Sequence, residues 1–159
     1  IIMATQQLIK GIIRFLHDFF TVVWIGGLAF MVLTMFSSIK EVLGKDPQAQ
    51  GLMKAITRRH SIWVYISIIG LFVTGLLMGR SHPEYLGFMR FDNLYTTLTS
   101  IKHILTLVMI VVALFRSLSF GKKDVELSPK QNKFSMMLII INFIFGLAVL
   151  FLSGLLAAI

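Results

Sequence analysis

The stretch FSMMLIIINFIFGLAVLFLSGLLAAI, residues 134–159, decides the fold of this chain. It contains no charged residue, and Asn142 is its only side-chain amide. A helix needs about 20 largely apolar residues to cross ~30 Å of bilayer hydrocarbon. Inside lipid, a helix also satisfies its own backbone hydrogen bonds. The stretch therefore predicts a membrane-spanning helix.

Three earlier stretches have the same character, at residues 8–36, 61–79 and 101–120. Hydrophobic residues make up 57% of the 159 residues and charged residues 14%, which is too apolar for a surface that faces water. The first stretch is too long for a cleaved signal, so we expect it to be retained. We predict an all-α integral membrane four-helix bundle, a single domain over residues 1–159, as a multi-pass protein of the cell (inner or plasma) membrane.

Two helix starts carry capping chemistry. Asp46-Pro47 has the pattern of an N-cap followed by proline at the first helical position. Ser128-Pro129-Lys130-Gln131 has the pattern of a capping box. We expect the second and fourth helices to begin in solvent before they enter lipid.

The net charge of +8 is distributed unevenly. Ten of the 15 basic residues fall around the connections between the first and second and between the third and fourth stretches: Lys40, Lys45, Lys54, Arg58, Arg59, Arg116, Lys122, Lys123, Lys130 and Lys133. By the positive-inside rule, both termini and the loop of residues 80–100 lie on the outer, periplasmic side. We expect these charges to contact anionic lipid rather than nucleic acid.

Cysteine is absent, so any metal must be held by histidine, methionine or carboxylate. The sequence contains no glycine-rich phosphate loop, no paired intramembrane carboxylates and no Ser/His/Asp arrangement. Hydrolysis and nucleotide chemistry therefore have no support.

Ionisable residues inside a membrane span are costly and point to function. His17 lies about 28 Å of helix before Phe36, and His103 about 26 Å before Phe120, which places both at a similar depth near the outer face. Two imidazoles at one depth are what a b-type haem requires as axial ligands, with the first and third helices on either side of the ring. The alternative is that both are interfacial polar residues without a cofactor.

Other side chains complete the predicted haem site. Trp24, with Gly26 and Gly27, provides a wall for the macrocycle. Basic residues on the same side are candidates for pairing with the propionates: Arg14, Arg80, Arg90 and Lys102.

The remaining histidines and the methionines allow other interpretations. His60 follows Arg58-Arg59 on the opposite side, where we favour an interfacial histidine over a His/Met metal site. His82 is favoured as a solvated turn residue. Met31 and Met35 share a helical face with His17 and Trp24, and soft thioethers suit Cu(I). Packing is the more frequent role for such methionines.

Two segments carry a resemblance to a known family. LHDFFTVVWIGGL, residues 16–28, resembles the first helix of the copper-resistance protein D superfamily, in which a histidine precedes a tryptophan by one heptad. SIKHILTL, residues 100–107, is similar to a later helix of that superfamily, which opens with a lysine. The related four-helix membrane protoporphyrinogen oxidases share a similar histidine and lysine. The resemblance implies a bundle associated with haem, porphyrin or copper, and carries over onto His17, Trp24 and Lys102.

The leading hypothesis is a b-type cytochrome-like protein that holds haem b through His17 and His103. It would transfer electrons between a quinone or periplasmic-side partner and a larger redox complex. Protoporphyrinogen oxidase-like activity is less favoured, because His103 stands beside Lys102 and adjacent helical residues point about 100° apart. The alternatives are a copper-transport protein that uses His17, Met31 and Met35, and a structural membrane anchor without cofactor.

Overall fold

The computed structural model describes residues 2–44, 46–79, 87, 89–121 and 127–158, and these residues form four long helices. The first is helical from Ile2 to Leu43, and the others are Pro47–Gly79, Leu94–Phe120 and Pro129–Ala158. Each of the four is long and apolar enough to cross a membrane. The chain is therefore a multi-pass helical membrane protein, as predicted.

The helices are longer than the apolar stretches from which they were predicted. The third begins at Leu94 rather than at residue 101, because Asn93 caps it. The Asn93 side chain accepts from the Thr96 N–H at 2.7 Å, and the Thr96 hydroxyl accepts from the Asn93 N–H at 3.1 Å. A cap satisfies backbone N–H groups that the first turn leaves without partners. Hydropathy marks the part of a helix that lipid can cover, whereas capping chemistry marks where the helix starts.

The capped starts of the second and fourth helices are confirmed. Asp46 Oδ1 accepts from the Gln48 N–H at 2.7 Å, one residue beyond Pro47. Ser128 and Gln131 form the reciprocal capping box: Ser128 Oγ accepts from the Gln131 N–H at 3.3 Å, and Gln131 Oε1 accepts from the Ser128 N–H at 2.9 Å. Both helices begin with several polar residues ahead of their apolar stretches.

Two π-helical segments interrupt the first helix, Val22–Gly26 and Met31–Met35, with the α-helical turn Gly27–Phe30 between them. Wider turns of this kind change the direction of the side chains that follow and are frequent at functional sites. Gly27 is the first residue of the α-helical turn that separates the two π-helical segments.

Successive helices run antiparallel. Along the first helix His17 lies beside Thr74 and Gly27 lies beside His60, so the second helix returns in the opposite direction. The first helix packs mainly on the second and the third on the fourth, and the middle of the first helix also contacts the fourth. Large apolar side chains project outward from all four helices, as expected where lipid covers them.

The core lies at the level of the π-helical segments. Trp24, Leu28 and Met31 of the first helix are buried with Met109 of the third and Ile139 of the fourth. Small and polar residues that allow the helices to approach closely are also buried: Ser67, Thr74, Asn142 and Gly146. The methionine pair Met31 and Met35 belongs to this core, in agreement with the packing interpretation.

Candidate functional site

At one end of the bundle, His17 is held by Thr74 of the second helix. Its Nδ1 lies 2.9 Å from the Thr74 hydroxyl oxygen. The Thr74 hydroxyl donates its own proton to the Gly70 carbonyl at 2.7 Å, so its oxygen accepts from the imidazole. This assigns the proton of the neutral ring to Nδ1 and leaves a lone pair on Nε2. Such an arrangement, in which the second nitrogen is fixed by a hydrogen bond, is typical of metal-binding histidines.

The same end holds His103 and Lys102 of the third helix. Both are half-buried, and both interact electrostatically with His17. Lys102 also interacts with the carboxylate of Asp18. The two histidines paired from sequence therefore lie in one cluster with an ammonium group. We call His17, Thr74, Lys102 and His103 the histidine end.

The arginines predicted as candidates for pairing with the haem propionates differ from one another in their environments. Arg14 is exposed on the first helix. Arg90 pairs with Asp92 through Nε at 2.7 Å and Nη2 at 3.2 Å, and this contact holds the pKa of the Asp92 carboxyl below its usual range. Arg80 and His82 lie outside the described residues.

His60 is partly buried and packs on the first helix, and its interpretation as an interfacial histidine stays a prediction. The second helix begins at Pro47, so His60 stands well inside it, with its ring against Gly27 of the first helix. Its Nε2 is buried and has no hydrogen-bond partner among the described residues. Only the absence of a side chain at Gly27 makes room for the imidazole.

Arg116 was grouped with the charges around the connection between the third and fourth stretches, and this grouping was wrong. It lies within the third helix, and only 9% of its surface is exposed. Its Nη2 donates to the Ser61 hydroxyl at 2.7 Å, while that hydroxyl donates to the Thr57 carbonyl at 2.9 Å. No aspartate or glutamate in the described part of the chain forms an ion pair with it. The bundle therefore contains a buried cation bonded to a neutral partner.

His60, Ser61 and Arg116 line one cavity together with Trp24 and Asn142. Trp24 Nε1 and Asn142 Oδ1 are buried, and neither has a hydrogen-bond partner within the described residues. Trp24 therefore lines this cavity, which differs from the haem wall predicted beside His17. We call the cavity lined by these five residues the arginine cavity. Its members come from all four helices.

The two sites are well separated along the bundle. His60 and Thr74 are fourteen positions apart on the second helix, as are Lys102 and Arg116 on the third. At 1.5 Å per residue, this spacing amounts to about 21 Å. Sequence reasoning missed the arginine cavity, although one signal was present: Arg116 follows the apolar run LVMIVVALF, residues 107–115, and an arginine so close to lipid needs a partner.

The class of this protein is defined by its fold, because comparison with known proteins found no match. No family model matches the chain, no curated protein matches it, and no solved structure matches it. The fold and the two sites define a four-helix membrane protein with polar groups buried between its helices. The resemblance to the copper-resistance protein D superfamily stays a prediction that rests on residues 16–28 and 100–107.

Proposed function

We propose that this protein is a b-type cytochrome-like membrane protein that holds haem b through His17 and His103 and transfers electrons. The observation that carries the proposal is the histidine end, where the hydrogen bond from His17 to Thr74 leaves Nε2 as a free ligand atom and His103 lies within electrostatic range.

The donor set fits such a cofactor. The described residues contain no cluster of three or more His, Asp or Glu side chains that could hold a bare metal ion. Haem iron needs only two axial ligands from the protein, because the porphyrin supplies the others. Lys102 provides a cation at the same end, suited to a propionate, and Arg14 lies about one turn before His17. Bound haem would supply a one-electron couple.

The orientation and location belong to the same proposal. The basic residues around residues 40–59 and 116–133 favour the cytoplasmic side for those connections, so both termini and the histidine end face outward in the cell membrane. A quinone or a periplasmic-side protein could then exchange electrons at that end. Few residues lie outside the four helices. We therefore infer that the chain works with other redox subunits.

The direct test is a dithionite-reduced minus oxidised absorption spectrum of the detergent-purified protein, with His17→Ala and His103→Ala beside it. We expect low-spin b-type bands in the parent protein and their loss in both variants, because each removes one axial ligand. His60→Ala is the control, since that imidazole lies in the arginine cavity, and it should retain the bands. A parent protein without haem would refute the proposal, and bound copper without iron would favour the copper-transport alternative.

Thr74→Val tests the geometry of the site. Valine preserves the shape of threonine but removes the oxygen that accepts from His17 Nδ1. Loss of such a supporting hydrogen bond lowers metal affinity by about 10–100-fold. We expect lower haem occupancy and a changed midpoint potential. Thr57→Val is the matched control, because the Thr57 hydroxyl donates to backbone carbonyls of its own helix, those of Met53 and Lys54. Equal spectra and potentials in the two variants would contradict the assigned role of Thr74.

A further inference from the structure

A second, larger cavity lies where the third helix ends and the fourth begins. We call it the basic pocket, because three cations line it: Lys54, Arg58 and Arg116. No aspartate or glutamate of the described residues lines it. Its other polar lining residues are neutral: Thr57, Ser61, Asn132 and Ser135. A pocket of this composition favours a ligand with negative charge.

One face of the second helix supplies two of the three cations. Four residues of this helix line the pocket at the i, i+3, i+4 and i+7 spacing of a helical face: Lys54, Thr57, Arg58 and Ser61. Arg59 is the next residue in the chain, but it points about 100° away from Arg58 and does not line the pocket. The positive charge of the pocket therefore belongs to particular side chains and not to every basic residue at this end of the bundle.

Arg116 is the most buried of these cations. A guanidinium carries five N–H donors. Among the described residues, Arg116 donates only to the Ser61 hydroxyl, through Nη2, and no carboxylate forms an ion pair with it. A buried charge costs stability unless an opposite charge or several hydrogen bonds replace the solvent. An anion with oxygen acceptors would compensate Arg116, and phosphate oxygens match the fork of a guanidinium.

The size of the basic pocket suits a phosphate group held at its opening. The pocket is partly open to the outside, and its empty space, counted out through that opening, is about 450 Å³. The part that can hold water-sized atoms has a volume of about 30 Å³, roughly twice what one water molecule needs. The two non-bridging oxygens of a phosphodiester can therefore enter, while the ester groups stay at the opening.

The surroundings of the pocket favour a lipid over a free phosphate compound. Apolar side chains line it together with the cations: Phe36, Met53, Phe120, Leu127 and Met136. The pocket lies where the apolar stretches of the third and fourth helices give way to polar residues, which is the level of the lipid headgroups. The distribution of charge assigns this end to the cytoplasmic side. Basic pockets between membrane helices on that side are typical sites for anionic headgroups.

We propose that the basic pocket binds the phosphate of one anionic phospholipid, such as phosphatidylglycerol, through Arg58 and Arg116, with Lys54 beside them. This is more specific than the general attraction of basic residues for anionic lipid, because it names one bound lipid and the side chains that hold it. Lys102 of the histidine end stands fourteen positions before Arg116, about 21 Å along the third helix. Lipid binding therefore stands or falls independently of haem binding.

Native mass spectrometry of the delipidated protein in an uncharged detergent counts bound lipid molecules directly. Dioleoyl phosphatidylglycerol is compared with dioleoyl phosphatidylcholine, which has the same chains and the same phosphodiester but no net charge. The choline ammonium would stand near three cations, and such juxtaposition of like charges disfavours a ligand strongly. We expect one phosphatidylglycerol molecule to bind with an affinity about tenfold or more above that of phosphatidylcholine.

Three variants locate the lipid. Arg58→Gln should weaken phosphatidylglycerol binding about fivefold, the effect of one basic residue at a headgroup. Arg116→Gln should weaken it about tenfold or more, as expected for loss of hydrogen bonds from a charged group. Arg59→Gln is the matched control, because it removes the same charge one position further along, outside the pocket. At about 0.15 M salt, where distant exposed charges are screened, this variant should bind like the parent.

Equal weakening in the Arg58→Gln and Arg59→Gln proteins would overturn the proposal, because it would indicate general attraction to basic residues. Equal affinity for the two lipids would also overturn it, as would preferential binding of inorganic phosphate or glycerol 3-phosphate. Binding that appears only after Asp124→Asn and Glu126→Gln would show that a carboxylate of the chain occupies the pocket instead. If Arg116→Gln does not fold, the exposed Arg58 decides. Phosphatidylglycerol should raise the Tm of the parent more than that of Arg58→Gln, and an equal rise would refute the site.

Discussion

Gly27→Ala is expected to destabilise the bundle by about 2 kcal/mol or more, at the upper part of the range for overpacking a filled core. A Cβ atom at this position would fall within the imidazole of His60, 2.7 Å from Nδ1 and 3.1 Å from Nε2. The cavity beside the ring has a volume of only about 10 Å³, which is too small for the imidazole to move into. Either the two helices separate or His60 leaves its position. Reversible unfolding in mixed detergent measures the change in free energy.

The neighbouring glycine provides the control. A Cβ atom on Gly26 would meet only Val22 Cγ1, at an ordinary 3.8 Å. Gly26→Ala should therefore be neutral or stabilising by up to about 1 kcal/mol, the difference in helix propensity between the two residues. His60→Ala in the Gly27→Ala background should recover much of the lost stability, because it removes the clashing ring. Equal stability of the Gly26→Ala and Gly27→Ala proteins would contradict the close packing of His60 on the first helix.

Gly70→Ala is expected to have the second-largest effect, a loss of roughly 1–3 kcal/mol. A Cβ atom here would overlap the ring of Phe20, with Cζ at 2.6 Å. The substitution also acts on the histidine end. Phe20 lies about one turn after His17, and the Gly70 carbonyl accepts the hydrogen bond that orients the Thr74 hydroxyl. We therefore expect a lower free energy of unfolding, measured by reversible unfolding in mixed detergent. We also expect His17 to be less firmly oriented, measured as lower haem occupancy.

Gly75→Ala is the matched control for this prediction. The nearest atom to a Cβ on Gly75 would be His17 Cε1 at 3.7 Å, an ordinary contact. This variant should unfold like the parent or slightly later, because alanine favours the helix. Replacing Phe20 with leucine should recover part of the stability of Gly70→Ala, since leucine lacks the overlapping ring atoms. An unaffected Gly70→Ala protein would show that the first and second helices pack less closely than described.

Part of the histidine end could be predicted from sequence. His17 and His103 stand at similar distances from the far ends of their apolar stretches, and equal helical rise places them at one level. The partner of His17 could not be predicted in the same way. The hydrogen bond from His17 to Thr74 depends on how the first and second helices are rotated about their axes. That rotation follows from side-chain packing between them.

The arginine cavity shows what could not be predicted from position along the sequence, namely the packing of His60 and the burial of Arg116. His60 follows two arginines and precedes an apolar stretch, a pattern typical of a membrane surface. The second helix begins a further thirteen residues upstream, and Gly27 opens space for the ring inside the bundle. Arg116 lies within the predicted third stretch, residues 101–120, but was grouped with the charges around the connection that follows it. The third helix ends at Phe120, as that stretch predicts, and it buries this arginine.

The sequence by itself determined that there are four spans, where the second and fourth helices start, and which end carries the paired histidines. These properties depend on length, hydropathy and contacts between residues close in the chain, so no partner helix is needed to establish them. Only the tertiary structure decided that Trp24, His60, Arg116 and Asn142 face one cavity. These residues belong to four different helices, and the rotation and register of each helix are set by packing against the others, here with two π-helical segments redirecting the first.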